Sequence, residues 1–188
     1  MLDYVTSGES HGKWLSVTVT GLPAGLPIDV DRISRDLRRR QGGYGRGNRM
    51  TLERDEAEII AGLRRGAATG GPLTMLIANR VHGLDALKPI HRPSPGHADL
   101  AGMLKYGSID ARTLSERTSA RETAARVAAG ALANGMLATF KIDLCGFVTA
   151  IGGLSCAVEE SLSPARLRHG RDASIFALPD PSYDRRTK

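Results

Sequence analysis

The chain has 188 residues, 41% apolar and 24% charged, which suits one globular domain with a real core and excludes a disordered or repetitive polymer. A formal net charge of +6 points to an anionic partner, while an aromatic content of 4% argues against a stacking surface for single-stranded nucleic acid. No stretch approaches the ~20 apolar residues of a membrane span, and Met1-Leu2-Asp3-Tyr4-Val5 lacks the pattern of a secretion signal. Two cysteines, Cys145 and Cys156, stand at no metal-type spacing, so two buried thiols in a soluble, cytoplasmic protein are expected, with a disulfide as the alternative.

In chain order, a short apolar strand runs into Gly8-Glu9-Ser10-His11-Gly12, which sets an acid, a hydroxyl and an imidazole between two glycines. Leu15, Val17 and Val19 then alternate with Ser16, Thr18 and Thr20, the period of a half-buried strand. Asp29 is a helix N-cap candidate, followed by Val30, Ile33 and Leu37 at helical spacing. Gly42 and Gly43 stop that helix, whose last turn carries Arg38, Arg39 and Arg40.

The stretch Arg38-Arg39-Arg40-Gln41-Gly42-Gly43-Tyr44-Gly45-Arg46-Gly47-Asn48-Arg49 alternates arginine and glycine. Glycine frees the backbone so that main-chain N–H groups can converge, and guanidinium forks bind the paired oxygens of phosphate or carboxylate. A solvated basic loop is the plainer reading of such a run. Residues 50–53 and 58–63 read as short strands, 66–72 as a loop and 73–78 as a buried strand. Residues 82–91 show little periodicity. In Pro93-Ser94-Pro95-Gly96-His97-Ala98-Asp99, two prolines and a glycine fix the backbone ahead of His97.

Ser119-Ala120-Arg121-Glu122 has the capping-box pattern, and 123–140 reads as a central alanine-rich helix. Arg117 and Arg121 are expected to bracket its N-terminus as a second anion site. A strand over 142–151 and a helix over 159–171 follow, then a polar, proline-interrupted tail.

Four of these stretches, in this order and over essentially the whole chain, resemble the chorismate synthase family. They are Gly8-Glu9-Ser10-His11-Gly12, the run Arg39 to Gly47, Pro95-Gly96-His97-Ala98-Asp99, and the run from Glu116-Arg117-Thr118-Ser119-Ala120-Arg121 to Ala128. The resemblance implies an α+β fold, a β-α-β sandwich with antiparallel sheets packed on central helices, and homotetrameric assembly. It implies a lyase that makes chorismate from 5-enolpyruvylshikimate 3-phosphate by 1,4-anti elimination of phosphate, the last common step of the shikimate pathway. Reduced FMN is required without net oxidation, with NADPH as a reductant.

By the same resemblance, His11 protonates the departing phosphate and His97 stands at the reduced flavin. Histidine suits both tasks because its ordinary pKa lies near neutrality. Arg40, Arg46, Arg49 and Arg121 hold substrate anions, or, for Arg40 and Arg46, the phosphate of a nicotinamide nucleotide. Arg117, Thr118 and Ser119 contact FMN. Two departures stand out. Ser94 occupies the place of a family arginine, with Arg92 two residues upstream. Family members are also about twice as long, so residues 1–188 are expected to form one domain, the N-terminal half of the fold, without the second half's flavin contacts and Arg-Ser-Asp segment. On that expectation the chain alone is inactive. Two other classes compete: a catalytically dead structural fragment, and a basic module in which residues 38–49 grip nucleic acid.

Overall fold

The computed structural model describes residues 1–158 and 161–187. A four-stranded antiparallel sheet is laid out in the order β1-β2-β6-β3. The strands are β1 (Asp3–Gly8), β2 (Trp14–Thr20), β3 (Ala57–Ala61) and β6 (Leu73–Ala78). Between them lie helix α1 (Val30–Gln41), the single turn α2 (Arg49–Leu52), and a hairpin of β4 (Leu63–Arg64) with β5 (Ala67–Ala68). Helices α3 (Asp99–Tyr106), α4 (Ala111–Arg117) and α5 (Thr123–Thr139) follow. A short hairpin of β7 (Ala150–Ile151) and β8 (Leu154–Ser155), then α6 (Pro164–Ala173) and α7 (Asp184–Thr187), complete the described chain.

Alternation decides which face of the sheet is covered. Leu15, Val17 and Val19 of β2 lie opposite Ile77, Met75 and Leu73 of β6, and all six are essentially inaccessible. Helices α1 and α5 pack on each other, and α5 lies on the sheet through this face. Ala124, Ala125, Ala128, Ala129 and Ala131 let α5 come close, while Ile33 and Leu37 supply the larger side chains from α1. Asp29 caps α1, accepting from the Arg32 N–H at 2.9 Å, and the Gly42 N–H closes its end on the Arg38 and Arg39 carbonyls. The outcome is a mixed α+β fold with antiparallel sheets.

Several sequence expectations need correcting. Residues 50–53 do not form a strand: Arg49–Leu52 is a helical turn. The strand expected over 58–63 runs over Ala57–Ala61, with a register irregularity between Ile59 and Ala61. Of 142–151 only Ala150–Ile151 is strand, and Ile142 and Leu144 are 51% and 66% exposed, with no partner strand beside them among the described residues. The helix expected over 159–171 starts at Pro164, capped by Ser163; residues 159 and 160 lie outside the described residues. The capping box at 119–122 takes another form. Ser119 caps a 3-10 turn over Ala120–Glu122, and the Glu122 carboxylate turns to Thr6 and Arg126. Cys145 and Cys156 are both free thiols; Cys156 is buried as expected, but Cys145 is only partly so. Among the described residues no helix is long and apolar enough to cross a membrane.

Candidate active site

His11 sits in the loop joining β1 to β2. That loop turns at Gly8, whose φ of +103° and close approach to the Trp14 carbonyl leave no room for a side chain. The His11 backbone is pinned at both ends. Its N–H donates to Glu116 Oε2 at 2.9 Å, and its carbonyl accepts from the Gly83 and Leu84 amides at 2.9 and 3.1 Å. Buried Asn79, just past the end of β6, donates Nδ2–H to the carbonyls of Glu9 and Gly12 and ties the loop to the sheet. The imidazole Nδ1 lies 2.8 Å from Glu116 Oε2, a carboxylate only 4% exposed.

On the opposite edge of the ring, Arg49 Nη1 faces His11 Nε2 at 3.5 Å. Arg49 also donates to Ser10 Oγ at 2.6 Å, to the Ser10 carbonyl, to the Val81 carbonyl at 3.2 Å and to Glu53 at 3.1 Å. A guanidinium has five N–H donors, and these contacts with His11 engage all five. Arg49 thus works as a clamp on the histidine loop. The turn α2 sets it there, which is why residues 49–52 coil instead of extending.

Behind this clamp lies a buried ionic network. Asp55 accepts from Arg40 Nη1 at 3.0 Å and from Arg121 Nη1 at 2.5 Å. Glu53 accepts from the amides of Arg80 and Val81 and from Arg49, with Arg121 Nη2 at 3.7 Å. Burial works to raise the Glu53 pKa, but those amides and the two guanidiniums outweigh it and hold the carboxyl below its ordinary value of 4.5. Burial lowers the Arg40 pKa, with Arg121 and Arg46 acting the same way and Asp55 opposing; an arginine stays charged regardless. Three guanidiniums (Arg40, Arg49, Arg121) face two carboxylates (Glu53, Asp55), so the cluster carries one excess positive charge.

His97 has a carboxylate of its own. Its Nδ1 lies 2.5 Å from Asp99 Oδ1, and Asp99 is completely buried at the start of α3. The Ser94 N–H donates to the other Asp99 oxygen at 3.0 Å. Burial alone would raise the Asp99 pKa; the Ser94 amide and the imidazole bring it below its ordinary 3.8. Helix α4 links the two histidines. Glu116, in its last turn, holds His11, and Thr118, two residues on, places Oγ1 3.5 Å from His97 Nδ1.

The remaining expected residues are arranged as follows. Arg46 is exposed and bends back, Nε donating to the Gly42 carbonyl at 2.7 Å. Arg117 reaches the Thr6 carbonyl at 2.9 Å and stays 37% exposed. Thr118 is exposed and bonds the Leu114 carbonyl; the Ser119 hydroxyl accepts from the Arg121 N–H. Arg121 does not bracket the α5 end as expected. Its side chain, 4% exposed, runs inward to Asn79 and Asp55. Residues 38–49 are likewise no continuous solvated face, since Arg40 is 9% exposed and Arg49 26%.

The family model described as chorismate synthase matches residues 2–188. The chain belongs to the chorismate synthase family. It is 44% identical over 200 residues to the chorismate synthase of Geobacter metallireducens, covering 100% of this chain and 51% of that protein. It is 46% identical over 192 residues to that of Desulforamulus reducens, covering 96% and 50%. A solved structure titled "Crystal Structure of Chorismate Synthase" superposes with a TM-score of 0.79 at 36% identity, over 98% of this chain and 50% of that one. The chain therefore spans about half the length of the chorismate synthases it matches.

Sequence reasoning passed over the acidic partners in this chorismate synthase homologue. Glu116 and Asp99 stood inside stretches already singled out; Asp99, two residues from His97, offered the signal of an acid beside a functional histidine, whereas Glu116 lies 105 residues from His11 and offered none. Glu53, Asp55 and Asn79 carried none, because deciding partners lie far along the chain: Arg80 is 27 residues from Glu53, Arg121 is 66 from Asp55 and Glu9 is 70 from Asn79.

Proposed function

We propose that this chain supplies the histidine- and arginine-bearing part of a chorismate synthase site, acting in the 1,4-anti elimination of phosphate from 5-enolpyruvylshikimate 3-phosphate. The observation that carries this is the His11 loop, pinned through its backbone and both ring nitrogens by Glu116, Gly83, Leu84 and Arg49. A loop histidine held through its backbone and both ring edges yet still 33% exposed suits positioned proton transfer, which contributes typically 10²–10⁴-fold. Protonated on both ring nitrogens, His11 gives the Nε2 proton to the departing phosphate oxygen as the carbon–oxygen bond breaks, while the proton lost from carbon in the 1,4-elimination passes to a base other than His11. The excess positive charge of the Arg40–Arg49–Arg121 cluster, with exposed Arg46, attracts the substrate's phosphate and carboxylates. The inward-facing arginines disfavour the nucleic-acid reading, since a phosphodiester backbone needs them on the surface.

Arg117, Thr118 and Ser119 suit an FMN phosphate by their donor set. A partly exposed guanidinium stands beside two hydroxyls, and the Ser119 oxygen accepts a bond while its own proton stays available. Reduced FMN would supply electron density for phosphate loss. His97, its Nδ1 edge held by Asp99, would turn Nε2 toward that group as the nitrogen that exchanges a proton.

The test is a chimera of residues 1–188 joined to the remaining half of the Geobacter metallireducens enzyme, assayed anaerobically with reduced FMN and substrate. Chorismate should form, and His11→Ala or His97→Ala should each slow turnover by about 10²–10⁴-fold. A folded chimera that binds substrate without forming chorismate would refute the reading. A histidine variant with unchanged turnover would remove that histidine from the mechanism.

A further inference from the structure

Both functional imidazoles meet a buried carboxylate through the same ring nitrogen: His11 Nδ1 on Glu116 at 2.8 Å, and His97 Nδ1 on Asp99 at 2.5 Å. We infer that Glu116 and Asp99 are positioning residues that lock both histidines as the Nδ1–H tautomer, leaving Nε2 as the nitrogen that exchanges protons. The roles of the residues proposed above are presupposed; the tautomers are not.

A carboxylate is an acceptor only, so the nitrogen facing it must carry the proton. His11 has a second, independent constraint on its far edge. Arg49 has donors and no acceptor, and its Nη1 faces Nε2. In the neutral ring a proton on Nε2 would meet that N–H, so Arg49 and Glu116 select the same tautomer from opposite sides. Glu116 cannot easily turn away. Oε2 also receives the His11 N–H, Arg112 lies 3.6 Å from Oε1, and the Glu116 carbonyl receives the Ser10 N–H at 3.0 Å. Asp99 is similarly held by the Ser94 N–H. Any proton passing between His11 and a bound phosphate therefore travels through Nε2, on the side where Arg49 stands.

The experiment is long-range ¹H–¹⁵N correlation NMR on the ¹⁵N-labelled 188-residue chain at about pH 9, where ordinary histidines are neutral. For both His11 and His97, Nδ1 should show the shift of a protonated ring nitrogen and Nε2 that of a bare one. Glu116→Gln should keep the His11 pattern, because the amide oxygen can replace Oε2. Glu116→Leu should release His11 to protonation on Nε2 and leave His97 unchanged, and Asp99→Leu should do the converse. Should the leucine variants not fold, the wild-type spectrum still decides. Rings protonated on Nε2 with a bare Nδ1 would overturn the inference, as would a folded Glu116→Leu chain with His11 unaltered. Because no turnover is measured, failure here is separable from failure of the chimera: correct tautomers with an inert chimera would leave the positioning intact and remove the elimination.

Discussion

Ser94 contributes chiefly through its backbone, with its hydroxyl a smaller support to Asp99. Its N–H supports Asp99, while the residue itself is exposed. The arginine that the family resemblance leads one to expect would keep the N–H that supports Asp99 and lose only the hydroxyl's smaller contribution. Arg92, equally exposed, lies two positions upstream. If the arginine contact is missing here, Ser94→Arg in the chimera should tighten substrate binding. A hydrogen bond to a charged group is worth roughly 1.5–3 kcal/mol, or about tenfold to a hundredfold in dissociation constant. Calorimetric titration of substrate would read it. Unchanged or weaker affinity would mean that Arg92 or another group already fills that place.

Elements were legible where one period dominates and its partner is predictable. Strand β2 alternates cleanly, α1 has a cap, spaced apolar residues and a glycine stop, and α5 is helical by alanine content. Legibility failed where distant partners decide. Arg-Met-Thr-Leu has no strong helical signal, yet it coils because Arg49 must reach Ser10 and Glu53. Helix α3 hides its pattern. Leu100 and Leu104 are exposed, and Gly102 lets α3 pack closely on Leu114 of α4. The apolar run after residue 141 reads as a strand but among the described residues finds a strand partner only at Ala150–Ile151, and strands form by pairing.

The buried network between elements is similarly invisible in sequence and has a measurable consequence. Asp55 is a carboxylate shared by Arg40 of α1 and Arg121. Asp55→Ala would leave two buried guanidiniums facing each other, and losing one partner of a buried ionic contact costs about 3–5 kcal/mol. Urea unfolding of the 188-residue chain should show that loss. A change below about 1 kcal/mol would mean that solvent or other partners already satisfy both arginines.

At the scale of the molecule, the chain combines a well-packed sheet-on-helix core with much uncovered apolar surface. Leu104, Ile109, Phe140 and Leu144 are all at least 66% exposed. Exposed apolar groups in that number mark surfaces that other parts of a protein cover, in keeping with relatives about twice as long. The histidine–carboxylate pairs and the arginine cluster described above are formed between residues of this fold. Catalysis asks for more, since it needs all groups around the substrate held together, and a displacement of about 1 Å can cost ~10²-fold. If residues 1–188 carry part of a composite site, the purified chain, given reduced FMN and 5-enolpyruvylshikimate 3-phosphate without oxygen, should leave chorismate absorbance at background. Turnover near that of the Geobacter metallireducens enzyme would contradict this and place the whole site within these 188 residues.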